Sequence, residues 1–183
     1  MNLTETDIKT LIGDCKVGKR DAQKALYKMH FSFAMSICMR YANSKNEAQE
    51  MMNDGFLKVF KYIKKFDEQR PFKPWLKTIL LNAAIDHLKK HSKELDEVEL
   101  EEGINESVKD SILESITYDE MLEIVRKLPT AYRTVFNLRA IEGYQHDEIA
   151  RMLKISVGTS KSNYARAKKK LQIHLNAYFE VEP

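Results

Sequence analysis

Proline occurs four times, glycine six times and tryptophan once in 183 residues. With so few breakers and abundant helix formers, an all-α chain is the first expectation. The two cysteines, Cys15 and Cys38, form no C-x-x-C pair; nothing suggests a disulfide framework, and two reduced thiols are the simplest expectation. No apolar run approaches the length of a membrane span and no secretory signal opens the chain. A cytoplasmic protein with no direct membrane insertion is expected. There is no glycine-rich phosphate loop, no G-x-S-x-G and no H-E-x-x-H. His87 and His91 lie four apart on one helix face, but two ligands without a matching Cys or carboxylate pair do not make a metal site. The expectation is a protein that is not an enzyme and that holds no cofactor and no metal.

Charge is present in quantity, and its placement is informative. Lys and Arg number 30 against 27 Asp and Glu, a net charge of only +3. Residues 1–92 carry a balance of +7, residues 93–117 of −7 and residues 118–183 of +3. Two basic blocks joined by an acidic segment predict two modules that touch a polyanion. The predicted organisation is therefore a helical domain over 1–92, an acidic flexible linker over 93–117 and a second helical domain over 118–183. The linker has no aromatic residue, and no fixed structure is expected of it.

In the first block, a short helix is predicted from Thr4 to about Lys16. A long one runs from an Asp21 N-cap to about Ala42, with Leu26, Met29, Phe33 and Ile37 on one stripe. Asn46 with Gln49 resembles a capping box, opening a helix that reaches Phe66 with Met52, Phe56, Val59, Ile63 and Phe66 inward. Its other face carries Glu50, Asn53, Asp54, Lys58, Lys61 and Lys65. Gly55 costs a helix about 1 kcal/mol relative to Ala, which fits either a close helix contact or tolerated strain. Asp67 to Pro74 reads as a charged loop holding Phe72, and Pro74 suits the first turn of a helix from Trp75 to about His91. That helix is apolar on most sides, as a largely buried one is. Asn82 interrupts the run, either as a satisfied buried amide or as a base-reading group at the rim.

In the last block, helices are expected over Tyr118–Lys127 and Ala131–Glu142, with Leu128-Pro129-Thr130 between them and Gly143-Tyr144 as the exit turn. The stretch His146 to Leu171 then reads as two helices joined by a tight turn. Ile149, Met152 and Leu153 form one apolar stripe, Lys154-Ile155-Ser156 breaks the pattern, and Ser156 is placed to cap the second helix. In that helix Val157, Ser160, Tyr164, Ala167 and Leu171 share one face. Steps of 100° place Thr159, Ser162, Ala165, Arg166 and Lys169 on the outward side, with Lys161, Lys168 and Lys170 on the flanks. A helix-turn-helix presents such a face to the DNA major groove: short side chains allow close approach, an Arg reaches base edges and lysines hold phosphates. A solvated basic face on an ordinary helix is the plainer alternative.

Three stretches together carry a resemblance. NEAQEMMNDGFLKVFKYIKKFD, RPFKPWLKTILLNAAIDHLKKH and LPTAYRTVFNLRAIEGYQHDEIARMLKISVGTSKSNYARAKKKL, in this order and with Trp75 before Leu76, resemble bacterial RNA polymerase sigma factors of the sigma-70 family, in the small extracytoplasmic-function (ECF) subgroup. The resemblance implies that the first stretch docks on core RNA polymerase, the second melts and reads the minus-10 element of promoter DNA, and the third reads the minus-35 element. It places Glu50, Asn53, Asp54 and Lys58 against the coiled coil of the largest polymerase subunit. It assigns Phe72, Trp75, Lys77, Asn82 and Lys89 to minus-10 DNA, with Asn82 near the pocket for a flipped base and Phe66–Pro74 as the specificity loop. It assigns Ser162, Ala165 and Arg166 to minus-35 bases and Lys161 to phosphate, and the outward Thr159 and Lys169 of the same helix join them as minus-35 DNA contacts. It also implies an anti-sigma factor as a partner and a linker that mimics nucleic acid in a polymerase channel, although a plain spacer fits the same composition.

Some positions depart from the family pattern. Ser160 replaces an aliphatic residue on the buried face, Asn163 stands where a basic residue is frequent, and Ala165 offers only a methyl. Asn53 replaces a frequent Gln on the docking helix. The competing expectation is a stand-alone helix-turn-helix regulator whose N-terminal domain dimerises or senses a ligand.

Overall fold

The computed structural model describes residues 5–91 and 117–181. Among these every element is helical: α1 (Glu5–Lys16), α2 (Arg20–Cys38), α3 (Lys45–Tyr62), α4 (Phe72–His91), α5 (Tyr118–Arg126), α6 (Thr130–Phe136), α7 (His146–Leu153) and α8 (Val157–Val181). A 3-10 turn (Ile63–Lys65) succeeds α3, and a π turn (Asn137–Ile141) succeeds α6. The chain divides into two compact units after Leu88, within the last turn of α4. The acidic segment 93–117, apart from Thr117, lies outside the described residues.

In the first unit Leu26, Met51, Met52, Phe56, Val59, Ile63, Leu76, Leu80 and Ala84 are sealed from solvent. Burying each large side chain stabilises the fold by about 1.5–3 kcal/mol. The inward residues expected of α3 are all buried, and the 3-10 turn extends its stripe to Phe66. On α2 the buried stripe is Ala22, Leu26, His30, Ala34 and Ile37, while Met29 and Phe33 are only half-buried. Small residues at 22 and 34 let neighbouring helices come closer than a stripe of bulky ones would.

Four boundaries differ from expectation, each for a local reason. Helix α2 is capped by Lys19 through its backbone geometry; Asp21 sits in the first turn, where a carboxylate favours the positive end of the helix dipole. It ends at Cys38, because Arg40 and Tyr41 N–H groups turn back to Ile37 and Cys38 and bury Tyr41 and Ala42. The cap of α3 is Ser44, whose Oγ accepts from Glu47 N–H at 3.1 Å, while the Glu47 carboxylate accepts from Asn43 N–H at 2.6 Å. Asn46 and Gln49 are exposed and already inside the helix. Helix α4 starts at Phe72, three residues before Trp75, so Pro74 still falls in the first turn, where its missing N–H has no helical partner.

The second unit is built around Ile124, Val125, Leu128, Ala131, Tyr132, Ala167 and Leu171, with Phe136, Leu175 and Tyr178 packed against them. Thr117 and Glu120 close a capping box at the start of α5. The predicted 131–142 helix contains a change of pitch: Glu142 N–H reaches Asn137 O across five residues at 3.0 Å, and Gly143 at φ +83° then turns the chain toward α7. Asn137 is buried, and Arg133, also buried, donates from Nη1 to Arg126 O at 3.2 Å. The interior of this unit is therefore partly polar.

Candidate nucleic-acid interface

The helix-turn-helix of the second unit is assembled by its caps. Gln145 N–H donates to Glu148 Oε2 at 2.7 Å and starts α7. Lys154, at φ 59° and ψ 39°, ends it in the left-handed conformation, and Ile155 N–H returns to Ala150 O. Ser156 Oγ then accepts from Thr159 N–H at 2.9 Å and opens α8, as its place in the sequence predicts. The hydroxyl of Thr159 lies 2.8 Å from that of Ser156, and Ser162 Oγ donates to Thr159 O at 3.0 Å. Both short polar side chains of the outward face thus already serve the start of the helix.

The buried stripe of α8 runs through Ser160, Asn163, Ala167 and Leu171, rotated toward Asn163 from the predicted stripe. Val157 is 42% exposed and Tyr164 half-buried. Asn163 therefore belongs to the interior, so its departure from the family pattern concerns packing rather than the groove-facing side. Its Oδ1 has no hydrogen-bond partner among the described residues. Ser160 is fully buried, and its Oγ lies 2.9 Å from His146 Nδ1. That bond joins α7 to α8. The His146 ring meets Tyr164 edge-on, and Tyr164 stacks on Phe136.

On the outer side Ala165 and Lys161 are exposed, and Thr159, Ser162 and Lys169 are half-exposed. Lys168 lies over the Tyr164 ring at 5.2 Å. Arg166 does not stand free: it is half-buried, and Nη1 donates to the Tyr132 hydroxyl at 3.4 Å. The rotation of the stripe moves Arg166 from the front of the helix to its flank.

In the first unit the residues assigned to core polymerase form one exposed strip. Glu50, Asn53 and Asp54 face solvent, with Tyr27 OH donating to Asn53 Oδ1 at 3.0 Å. Lys58 is paired with Asp86 of α4 at 2.7 Å. Leu57 lies on the same strip and is 68% exposed. Helical periodicity passes over Leu57; its signal is a single aliphatic residue interrupting an otherwise polar face.

The residues assigned to minus-10 DNA divide. Phe72 is buried and meets His30 and Phe66 edge-on, at 5.1 and 5.4 Å. It is a core residue of this unit and not a free aromatic in a loop. Trp75 is half-buried against Phe66 and Phe72, at 5.0 and 5.6 Å. Lys77 and Lys89 are half-buried, and Asn82 is exposed, so the buried-amide reading of Asn82 is set aside. The loop borders an open pocket of about 330 Å³ lined by Ile8, Ile12, His30, Phe66, Arg70 and Phe72 among others; Asn82 does not line it. Burial holds the His30 pKa below its ordinary value, with Lys73 acting in the same direction and the Leu26 carbonyl opposing.

Both thiols are buried, and burial raises them further from reactivity, Cys15 to about 11 and Cys38 to about 12. Among the described residues no His, Cys, Asp or Glu side chains gather as a metal site, and no helix is long and apolar enough to cross a membrane.

Two compact helical units, the second with a capped helix-turn-helix, define an all-α protein of two modules. The Sigma-70 region 2 family model matches residues 26–94, and the Sigma-70, region 4 model matches residues 118–171. The chain is 30% identical to the ECF RNA polymerase sigma factor SigW of Bacillus subtilis, over 93% of this chain and 98% of that protein. It is 24% identical to the RNA polymerase sigma-H factor of Pseudomonas aeruginosa, over 91% and 92% of the two chains. The solved complex of the sigma factor RpoE with the anti-sigma factor NepR from Bartonella quintana has the same fold: TM-score 0.52, 20% identity, 87% of this chain and 98% of that one. The chain belongs to the ECF sigma factors of the sigma-70 family.

Proposed function

We propose that this protein binds core RNA polymerase and directs promoter-specific initiation by reading minus-10 and minus-35 elements. In this reading residues 1–92 dock on polymerase and engage the minus-10 element, residues 93–117 are the connecting strap, and residues 118–183 engage the minus-35 element. The observation that carries it is the match of two separate compact units, in order, to the two regions of one family. Each module alone has few contacts to offer DNA. Holding both on one large enzyme raises their effective concentration and makes their spacing part of the specificity. Extruding a base from a melted strand costs a few kcal/mol, which a free two-module chain has little means to recover.

Support for docking comes from the strip of Glu50, Asn53 and Asp54 around exposed Leu57, an apolar centre with a polar rim. Support for minus-35 reading comes from Lys161, Ala165 and Lys169 on the outer side of α8, with Arg166 on its flank, released from Tyr132 when a base edge or phosphate offers a better acceptor. The protein works in the cytoplasm, carries out no chemistry of its own, and is held in check by an anti-sigma factor, as the RpoE relative is bound by NepR.

The test is in-vitro transcription with purified core polymerase on a genomic fragment library. Specific start sites that depend on the added protein are expected, and Arg166→Glu should abolish minus-35-dependent initiation while leaving core binding intact. Unchanged start sites, or tight duplex binding without polymerase, would favour a stand-alone regulator instead.

A further inference from the structure

The loop between the 3-10 turn and α4 is organised from within by one residue. Asp67 Oδ1 accepts from Gln69 N–H at 3.0 Å, Asp67 O accepts from Arg70 N–H at 3.0 Å, and the Asp67 carboxylate pairs with Arg70 at 3.4 Å. Its two feet, Phe66 and Phe72, are buried and in edge-to-face contact. This gives a preformed turn on two aromatic footings. Between these footings the turn, Asp67 to Pro71, is exposed and borders an open pocket of about 330 Å³, so few side chains pack against it.

A polar tie comes from the side. Lys16, the last residue of α1, donates from Nζ to Phe66 O at 3.1 Å and to Glu68 Oε1 at 2.6 Å, across 50 and 52 residues of sequence. One ammonium thus grips both the foot and the shoulder of the turn. The ion pair is partly open, its side chains 25% and 41% exposed, and such a pair contributes little to global stability. A tie that adds little stability yet joins a distant helix to an exposed turn acts chiefly on where that turn stands. Charge-assisted bonds suit this because they are short and directional.

We propose that Lys16 is a positioning residue: by gripping Phe66 O and Glu68 it sets the place of the 66–71 turn, and so the discrimination among minus-10 sequences. The proposal rests on the assignment of the first unit to the minus-10 element. Lys16 need not touch DNA. In this reading the turn is the element that engages minus-10 DNA, and loops held by a rigid scaffold are where recognition is usually placed.

The experiment is in-vitro transcription by core polymerase with the full chain, on two promoter series, one varied at minus-10 and one at minus-35. Lys16→Met should lower minus-10 discrimination about three- to tenfold, the range expected from losing one or two such bonds. Minus-35 discrimination and the unfolding midpoint should stay at wild-type values. Lys16→Arg, which keeps the donors and the charge, should restore minus-10 discrimination. Glu68→Gln, at an exposed position, should show the same effect in smaller measure. Wild-type discrimination in both Lys16→Met and Glu68→Gln overturns the proposal, as does a uniform loss on both series with a lowered melting point, which marks a merely structural residue. A wild-type protein indifferent to minus-10 sequence overturns the underlying assignment, and this inference with it.

Discussion

A Cβ placed on Gly55 of α3 would stand 2.7 Å from Cδ2 of Leu80 on α4, closer than two carbons can pack, with the Ala83 methyl at 3.6 Å. Leu80 is fully buried, so its Cδ2 would have to shift within the core to admit a methyl. The glycine that counts as a cost within a helical pattern is where these two helices cross.

Gly55→Ala therefore sets two terms against each other. Helix propensity gains about 1 kcal/mol, and overpacking a tight core costs about 1–3 kcal/mol. The expected result is a net destabilisation of about 1 kcal/mol. It is measured as a lower urea midpoint by the fluorescence of Trp75, the single tryptophan, which lies in this unit. A midpoint above wild type would show that Leu80 yields and that the crossing is not tight.

Asp54→Arg reverses the charge of an exposed residue at the centre of the proposed docking strip, one turn from Leu57. Core association should weaken by at least about tenfold, as expected for a charge reversal beside an apolar anchor. The check is recovery of polymerase subunits in a pull-down, with circular dichroism to confirm the fold. Undiminished recovery would place the docking surface elsewhere.

Lys154 joins the two helices of the helix-turn-helix at φ 59°, where a Cβ is strained. It is exposed, and its side chain is not needed for the turn. Lys154→Gly should raise the stability of the second unit by about 0.5–1 kcal/mol. Thermal unfolding tracked by far-ultraviolet circular dichroism reads this directly, and a fall in stability would contradict it.

Stability should also depend on pH through His30. Its folded pKa lies below the ordinary 6.5, first because burial penalises the charged ring and then because of Lys73. The unfolded chain thus binds the proton more readily than the folded one. The contribution is fully present above about pH 6.5 and declines as pH falls from there toward the lowered folded value. Urea midpoints by Trp75 fluorescence should drop between about pH 7.5 and about pH 5.5, and His30→Phe should flatten that drop. His146 and His174 are lowered in the same sense, also chiefly by burial, so the second unit shares the trend.

The sequence by itself determined the helical class, because scarce breakers and 3.6-residue periodicity act over a single turn of chain. It also determined the Ser156 cap of α8, the inward set from Met52 to Phe66 and the exit at Gly143, each a matter of a few adjacent residues. Where a neighbouring helix enters, local rules fall short. The face that α8 buries is set by its packing against α6 and α7, not by its own periodicity, and it runs through Asn163 while Arg166 meets Tyr132 of α6. Phe72 reads as a loop aromatic until Phe66 and His30 are seen to enclose it. The grip of Lys16 on a turn 50 residues away leaves no trace in periodicity or composition, since hydrogen bonds between distant segments exist only once the helices that carry them have packed.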